Sequence, residues 1–232
     1  MKAELTSTKR GFIQLEADPC VFYKKGIIVL CYVDDCLLFA QEQKDIDELI
    51  ASLKQDFNCT DEGEADRYLR VKIKSEDGKM TLKQPQLIKR IIELLRLTDA
   101  NPKGTPVVKP LLNKNADGKE RNEDSFHYRS VVGSLSYVAG CTRPDISMAV
   151  HQAAKFSNDP KVSYDTAVKR IGKYLLGSLD KGLIYEHDVS KGLEVFVDAD
   201  FAGGFDKINA EDPASVYSRT GYIIKYTGCP II

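Results

Sequence analysis

The sequence predicts an α+β fold, and three observations carry that reading. Residues 27–33 (IIVLCYV) and 36–40 (CLLFA) are apolar runs separated by two residues, the spacing of a tight β-hairpin. From Lys44 the period changes: Ile46, Leu49, Ile50, Leu53 and Phe57 recur at helical spacing and mark one face of an amphipathic helix. Helical patterns then fill residues 125–176, before strand character returns at 193–198 and 220–226.

Taken in order, the opening GFIQLEADPCVFYKKG has strand-like apolar pairs broken at Asp18-Pro19 and at Lys24-Lys25-Gly26, both turn compositions. The hairpin and the first helix follow. Residues 68–74 (YLRVKIK) alternate apolar and basic, as a half-buried strand does. Glu76-Asp77-Gly78-Lys79 is a turn, and Met80-Thr81-Leu82 a return strand. Residues 86–97 carry Leu87, Ile88, Ile91, Ile92, Leu94 and Leu95, a helix with a wide apolar face. Residues 98–124 hold three prolines and read as a long surface linker. A helix over about 125–139 has Ser125 or Asp124 as its expected cap. A second opens with Pro144 in its first turn, where the missing N–H does no harm, and runs to about Ser157. A third, over 164–176, places Ala167, Val168, Ile171, Tyr174 and Leu175 on one face.

Composition excludes more than it assigns. Of the 232 residues 43% are hydrophobic and 29% charged, ordinary for a globular protein, and the net charge of −1 favours no polyanionic partner at the whole-chain level. No apolar run is long enough to span a membrane, and MKAELTSTKRGF lacks the apolar core of a secretory signal. The six cysteines follow no C-x-x-C spacing and several sit inside apolar runs, which suits a reduced, intracellular setting. The three histidines are far apart in sequence and predict no zinc site.

The distribution of charge says more than its sum. Residues 41–66 carry nine acids and two bases; residues 67–114 carry twelve bases and four acids. A basic strand pair with Arg70, Lys72, Lys74 and Lys83, leading into a helix with Lys89 and Arg90, is a candidate track for a phosphate backbone. A merely solvated, lysine-rich face is the competing reading.

Asp34 and Asp35 interrupt the apolar runs. Adjacent residues on a regular strand point to opposite faces, so both can serve one ion only from a turn. Asp-Asp is a poorer match to tight hairpins than Asn-Gly or Asp-Gly, so turn chemistry alone does not explain the pair. Two readings stand on these residues: a solvated tip of a structural hairpin, or a divalent-metal site. Mg²⁺ takes hard oxygen ligands, and phosphoryl transfer commonly uses two ions about 3.5–4 Å apart.

At Tyr32-Val33-Asp34-Asp35 the sequence resembles the YVDD box of reverse transcriptases, in the form used by copia-type LTR retrotransposons. Five further blocks keep the family's order. DPCVFYK at 18–24 resembles its DPCLFYK segment, and YLRVKI at 68–73 its FLGIEI. GSLSY at 133–137 followed by CTRPDI at 141–146 resembles GSLxYL…TRPDI. KRIGKYLLG at 169–177 resembles KRILRYLKG, and DADFAG at 198–203 the SDADWAG start of the retroelement RNase H domain. Arg70 stands where the family has Gly, and Phe201 where it has Trp.

The resemblance implies a partial polymerase palm over 1–75, a thumb-like segment and start of linker over 76–112, a helical connection over 113–190, and the first strands of a truncated RNase H-like domain over 191–232. It implies that Asp34 and Asp35 are metal-binding polymerase carboxylates for Mg²⁺ and that Asp198 is the first metal-binding acid of the RNase H set. Asp200, placed one residue past the strand's alternation, is expected to be a turn or supporting group. Implied partners are an RNA template, a DNA primer, the RNA–DNA hybrid, dNTP and the N-terminal polymerase portion, in a cytoplasmic virus-like particle or the nucleus. The family's third polymerase Asp and the later RNase H acids are not in this sequence, so the chain alone is expected to be inactive. A non-catalytic nucleic-acid-binding remnant using residues 67–114 is the alternative.

Overall fold

The computed structural model describes residues 5–6, 9–107, 112, 118–122, 125–201, 205 and 216–231. The chain divides into two compact units, residues 1–68 and 69–232.

In the first unit, β1 (Ile13–Gln14), β2 (Val21–Lys24), β3 (Ile27–Tyr32) and β4 (Asp35–Ala40) form an antiparallel meander in chain order. Asp18 makes the first turn, its carboxylate accepting the Cys20 N–H at 2.8 Å. Gly26, at φ 80°, makes the second. Strand alternation turns Phe22, Val29 and Cys31 to one face, where Leu49 and Leu53 of α1 (Gln43–Asp56) complete a small core. Arg10 pins the N-terminal segment to that helix: its buried guanidinium donates to the Ser52 carbonyl at 2.6 Å and to the Asp56 carboxylate. On the other face Ile13, Tyr23, Ile28 and Phe39 lie in one cross-strand row, all exposed. The two-residue strand β5 (Arg67–Tyr68) ends the unit.

The second unit has a helical body. α2 (Pro85–Leu94), α3 (Tyr128–Cys141), a 3₁₀ turn (Pro144–Ile146), α4 (Ser147–Ala154) and α5 (Val162–Leu176) enclose a core that includes Ile88, Ile91, Leu135, Val138, Val168 and Leu175. Gly172 lets α5 meet the end of α2, since a Cβ there would lie 2.7 Å from both Leu95 Cδ1 and Leu97 Cδ1. One sheet joins β6 (Val71–Glu76), β7 (Lys79–Lys83) and β8 (Leu183–Glu186). A second has the order β11 (Cys229–Pro230), β10 (Arg219–Tyr226), β9 (Leu193–Asp200). No helix among the described residues is long and apolar enough to cross a membrane.

Four expectations change. The strand read over 68–74 breaks at Leu69 and Arg70, both left-handed at φ 47° and 66°. The helix read over 86–97 ends at Leu94, because Arg96 turns left-handed at φ 56°. The Arg96 and Leu97 N–H groups then bond the Glu93 and Ile92 carbonyls, a Schellman closure that buries Leu95 and Leu97. The next helix starts at Tyr128 rather than 125. His127 caps it through Nδ1, because the Ser125 hydroxyl is already donating to Asp165 Oδ2 at 2.6 Å. Asp124 and most of 108–117 lie outside the described residues. The helix opened by Pro144 begins as a 3₁₀ turn and closes at Ala154, not Ser157.

Buried polar groups tie the helices together. Arg143, 1% exposed, donates through Nε and Nη2 to the two oxygens of Asp145 at 2.9 and 2.8 Å. It also donates to the Ser178 carbonyl and hydroxyl at 2.8 Å each, and Tyr174 donates to Asp145 at 2.6 Å. Burial pushes the Asp145 carboxyl up, but the bonds from Arg143 and Tyr174 outweigh it and hold the group below its ordinary range. Such a group stabilises the fold above its unfolded pKa and loses that contribution as pH falls through the folded one. Arg143→Ala is therefore expected to cost the second unit about 3 kcal/mol in urea unfolding followed by circular dichroism, and Arg143→Lys to recover little of it. Asp145→Asn should flatten the loss of stability on acidification.

Candidate functional site

The acid pair sits at the β3–β4 connection. Tyr32 pairs with Asp35 and Cys31 with Cys36, so the two central turn residues are Val33 and Asp34, not Asp34 and Asp35. The reason lies at the far end of the hairpin. This register matches all six residues of β3 to the six of β4 and ends β4 at Ala40. Centring the turn on Asp34-Asp35 would draw Gln41 and Glu42 into the strand, and Glu42 is the N-cap of α1. Val33 takes up the backbone consequence at φ 54°, with its side chain 81% exposed. Left-handed backbone costs a non-glycine residue about 1–2 kcal/mol.

Both carboxylates are exposed, and neither makes a hydrogen bond or ion pair with the described residues. Asp35, as the strand partner of Tyr32, belongs to the sheet face away from α1. Beneath the turn the Cys31 and Cys36 sulfurs lie 3.2 Å apart. The hydrogen bond with Cys31, then burial, pushes the Cys36 thiol far above its usual range. Burial, then the fields of Cys36, Cys31 and Asp35, pushes the Tyr68 phenol up as well, which marks Tyr68 as a neighbour of the hairpin that sequence reading missed. Two free carboxylates are the right donors for Mg²⁺, which takes one or two of them with substrate phosphates and water. Among the described residues no group of three His, Cys, Asp or Glu side chains could hold a metal, so no third protein ligand joins them.

The basic residues divide between two elements. Lys72 and Lys74 are exposed on β6, and Lys72 faces Lys83 directly across the strand pair. Lys74 is paired with Glu76 at 2.5 Å, and Lys79 with Glu186 at 3.0 Å. Lys72 and Lys83 form a like-charged cross-strand pair with no carboxylate partner among the described residues, an arrangement that destabilises a sheet unless an anion offsets it. Beside them a cavity of about 530 Å³ is lined by Thr81, Lys83, Arg143, Asp145, Tyr174 and Lys181. Lys181, whose ammonium lies 5.9 Å from the Tyr174 ring centroid, was not among the predicted residues. Its position 98 residues after Lys83 gave no local pattern to read. Lys89 and Arg90 stand on the exposed side of α2, and Arg70 is exposed at its left-handed position.

Asp198 is exposed on β9, opposite Gly221. The strand continues through Asp200, so Asp200 is not past the alternation: it shares the face of Asp198 and lies 3.4 Å from Arg219. The opposite face, with Leu193, Val195 and Val197, is apolar and exposed.

Comparison with known proteins adds the following. The family model described as reverse transcriptase (RNA-dependent DNA polymerase) matches residues 3–109. The retrovirus-related Pol polyprotein from transposon TNT 1-94 of Nicotiana tabacum is 32% identical over 98% of this chain and 17% of that protein. The corresponding polyprotein from transposon RE1 of Arabidopsis thaliana is 30% identical over 95% of this chain and 15% of that protein. An uncharacterised mitochondrial protein of Arabidopsis thaliana is 30% identical over 88% of this chain and 80% of that protein. No solved structure matches.

The left-handed backbone at Arg70 generates a direct test. Glycine adopts φ 66° without a Cβ penalty, so Arg70→Gly is expected to stabilise the chain by about 1 kcal/mol in urea unfolding, whereas Arg70→Ala should not.

Proposed function

Because the chain belongs to the copia-type retrotransposon Pol polyprotein family, through its reverse transcriptase region, we propose that it carries part of an RNA-directed DNA polymerase, with Asp34 and Asp35 as the carboxylates for Mg²⁺. The observation that carries this reading is the hairpin tip. Two adjacent, unpaired, exposed carboxylates project from a rigid strand pair inside the segment that matches the family model. Bound there, Mg²⁺ would supply charge stabilisation to phosphoryl transfer; the chain's own contribution is to hold the two acids at a short, fully paired turn.

In this reading residues 1–75 are palm, 76–112 the thumb-like segment, 113–190 the connection and 191–232 the opening strands of an RNase H-like domain, with Asp198 as a metal ligand. Arg70, Lys72, Lys74, Lys83, Lys89 and Arg90 contact the backbone of the RNA template, the DNA primer or their hybrid. The unpaired Lys72–Lys83 pair supports that assignment, and it also favours a second reading, a non-catalytic module that binds nucleic acid without polymerising.

Two measurements separate these. In primer extension on an RNA template with dNTP and Mg²⁺, the chain alone is expected to show no extension above Asp34→Asn, since two carboxylates leave the metal cluster incomplete. Extension that Asp34→Asn abolishes would overturn the proposed inactivity. Hybrid-duplex binding is expected to weaken with salt, and Lys72→Ala with Lys83→Ala should lower the slope of log K against log salt by about 0.9 for each phosphate contact removed. Binding that persists in Asp34→Ala favours the binding module; binding indifferent to the lysines rejects the basic sheet as the contact surface.

A further inference from the structure

The Cys31–Cys36 pair has a geometry that neither a buried hydrophobe nor a metal ligand requires. The two residues are direct cross-strand partners, and the Cys31 N–H points away from β4, donating to the Cys20 carbonyl at 2.8 Å. They are thus a non-hydrogen-bonded pair, the antiparallel position where Cα atoms approach to about 4.5 Å, within the range a disulfide spans. Their sulfurs already lie 3.2 Å apart, so closing to the bonded distance of about 2.05 Å asks each to move by roughly half an ångström. The loop this bond would close contains Tyr32, Val33, Asp34 and Asp35, the whole of the acid turn.

We infer that Cys31 and Cys36 form a reversible dithiol–disulfide site, oxidised by exchange with a small-molecule disulfide, that clamps the acid turn from beneath. The half-buried Cys36 is the entry point. Its minor thiolate form, the proton having gone to solvent, attacks one sulfur of the small disulfide, forming a mixed disulfide and releasing one thiolate of the reagent. Buried Cys31, having given its proton to solvent, then attacks the Cys36 sulfur, forms the Cys31–Cys36 bond and releases the second reagent thiolate. Two protein thiols are oxidised and one small disulfide is reduced to two thiols. Resolution is intramolecular, so the mixed disulfide does not accumulate. The site does not depend on the chain polymerising DNA.

The test uses the full chain at equilibrium in a glutathione redox buffer, quenched with acid, alkylated and digested with trypsin. Residues 26–44 form one tryptic peptide that holds both cysteines and no other. In the oxidised buffer this peptide is expected to lose two hydrogens and both alkylation sites, while Cys31→Ser leaves Cys36 as the glutathione adduct or alkylated. The same buffer in urea should leave a smaller fraction closed, because the native register sets the proximity. Two alkyl groups on the wild-type peptide, stable glutathione on either cysteine, a bridge to another cysteine, or equal closure in urea would each overturn the site.

Discussion

The pairing of β3 with β4, six residues on six, is the constraint on which the acid pair and its surroundings depend. Gly26 closes one end of β3 and the Glu42 cap limits β4, so the connection between the strands can hold only Val33 and Asp34. A slip of one residue in this pairing would exchange the two faces of β4. Cys36 and Leu38 would then leave the core that Phe22, Val29 and Cys31 form with α1, and burying a large apolar side chain is worth about 1.5–3 kcal/mol. The same register stacks the two thiols and sends Asp35 to the face away from the helix.

How far this was legible in the sequence follows one physical distinction. Two turns that use glycine match the sequence reading, Gly26 between β2 and β3 and Asp77-Gly78 between β6 and β7, while the Thr227-Gly228 turn between β10 and β11 had no reading. The misreadings sit where another residue takes positive φ. Val33 moved the hairpin turn by one residue, Leu69 and Arg70 broke an expected strand, and Arg96 ended a helix early. Local rules assign such backbone to glycine, and here tertiary packing overrides them: Arg96 turns so that Leu95 and Leu97 can be buried. The cap error at Ser125 has a different source, since its partner Asp165 is forty residues away and no local pattern reveals it.

The candidate site was legible in parts for the same reasons. Asp34 and Asp35 stood out because charges inside an apolar run are conspicuous. Lys72 and Lys74 stood out because strand alternation is local. The Lys72–Lys83 opposition needs the register, and the cavity with Lys181 and Tyr174 needs β7 and β8 brought together.

Pairing also sorts charged motifs that sequence similarity treats alike. The Thr142-Arg143-Pro144-Asp145 motif is as recognisable as the acid box, yet its guanidinium and carboxylate are consumed by one another, by Ser178 and by Tyr174. Arg121 is consumed likewise by Asp165 and the Phe126 carbonyl, at 2.6 Å each. Groups held this way are largely spent on one another, and removing one partner strands a buried charge, so they hold helices in place. Asp34, Asp35, Lys72 and the half-buried Lys83 are the reverse: without ionic partners among the described residues, and set on or between short paired strands that gain nothing from their charge. A charge that the fold neither uses nor neutralises is free to meet a ligand outside it, and on that ground the acid turn and the basic strand pair, each within its own unit, are the surfaces we propose for metal and for nucleic acid, rather than the more deeply buried motif.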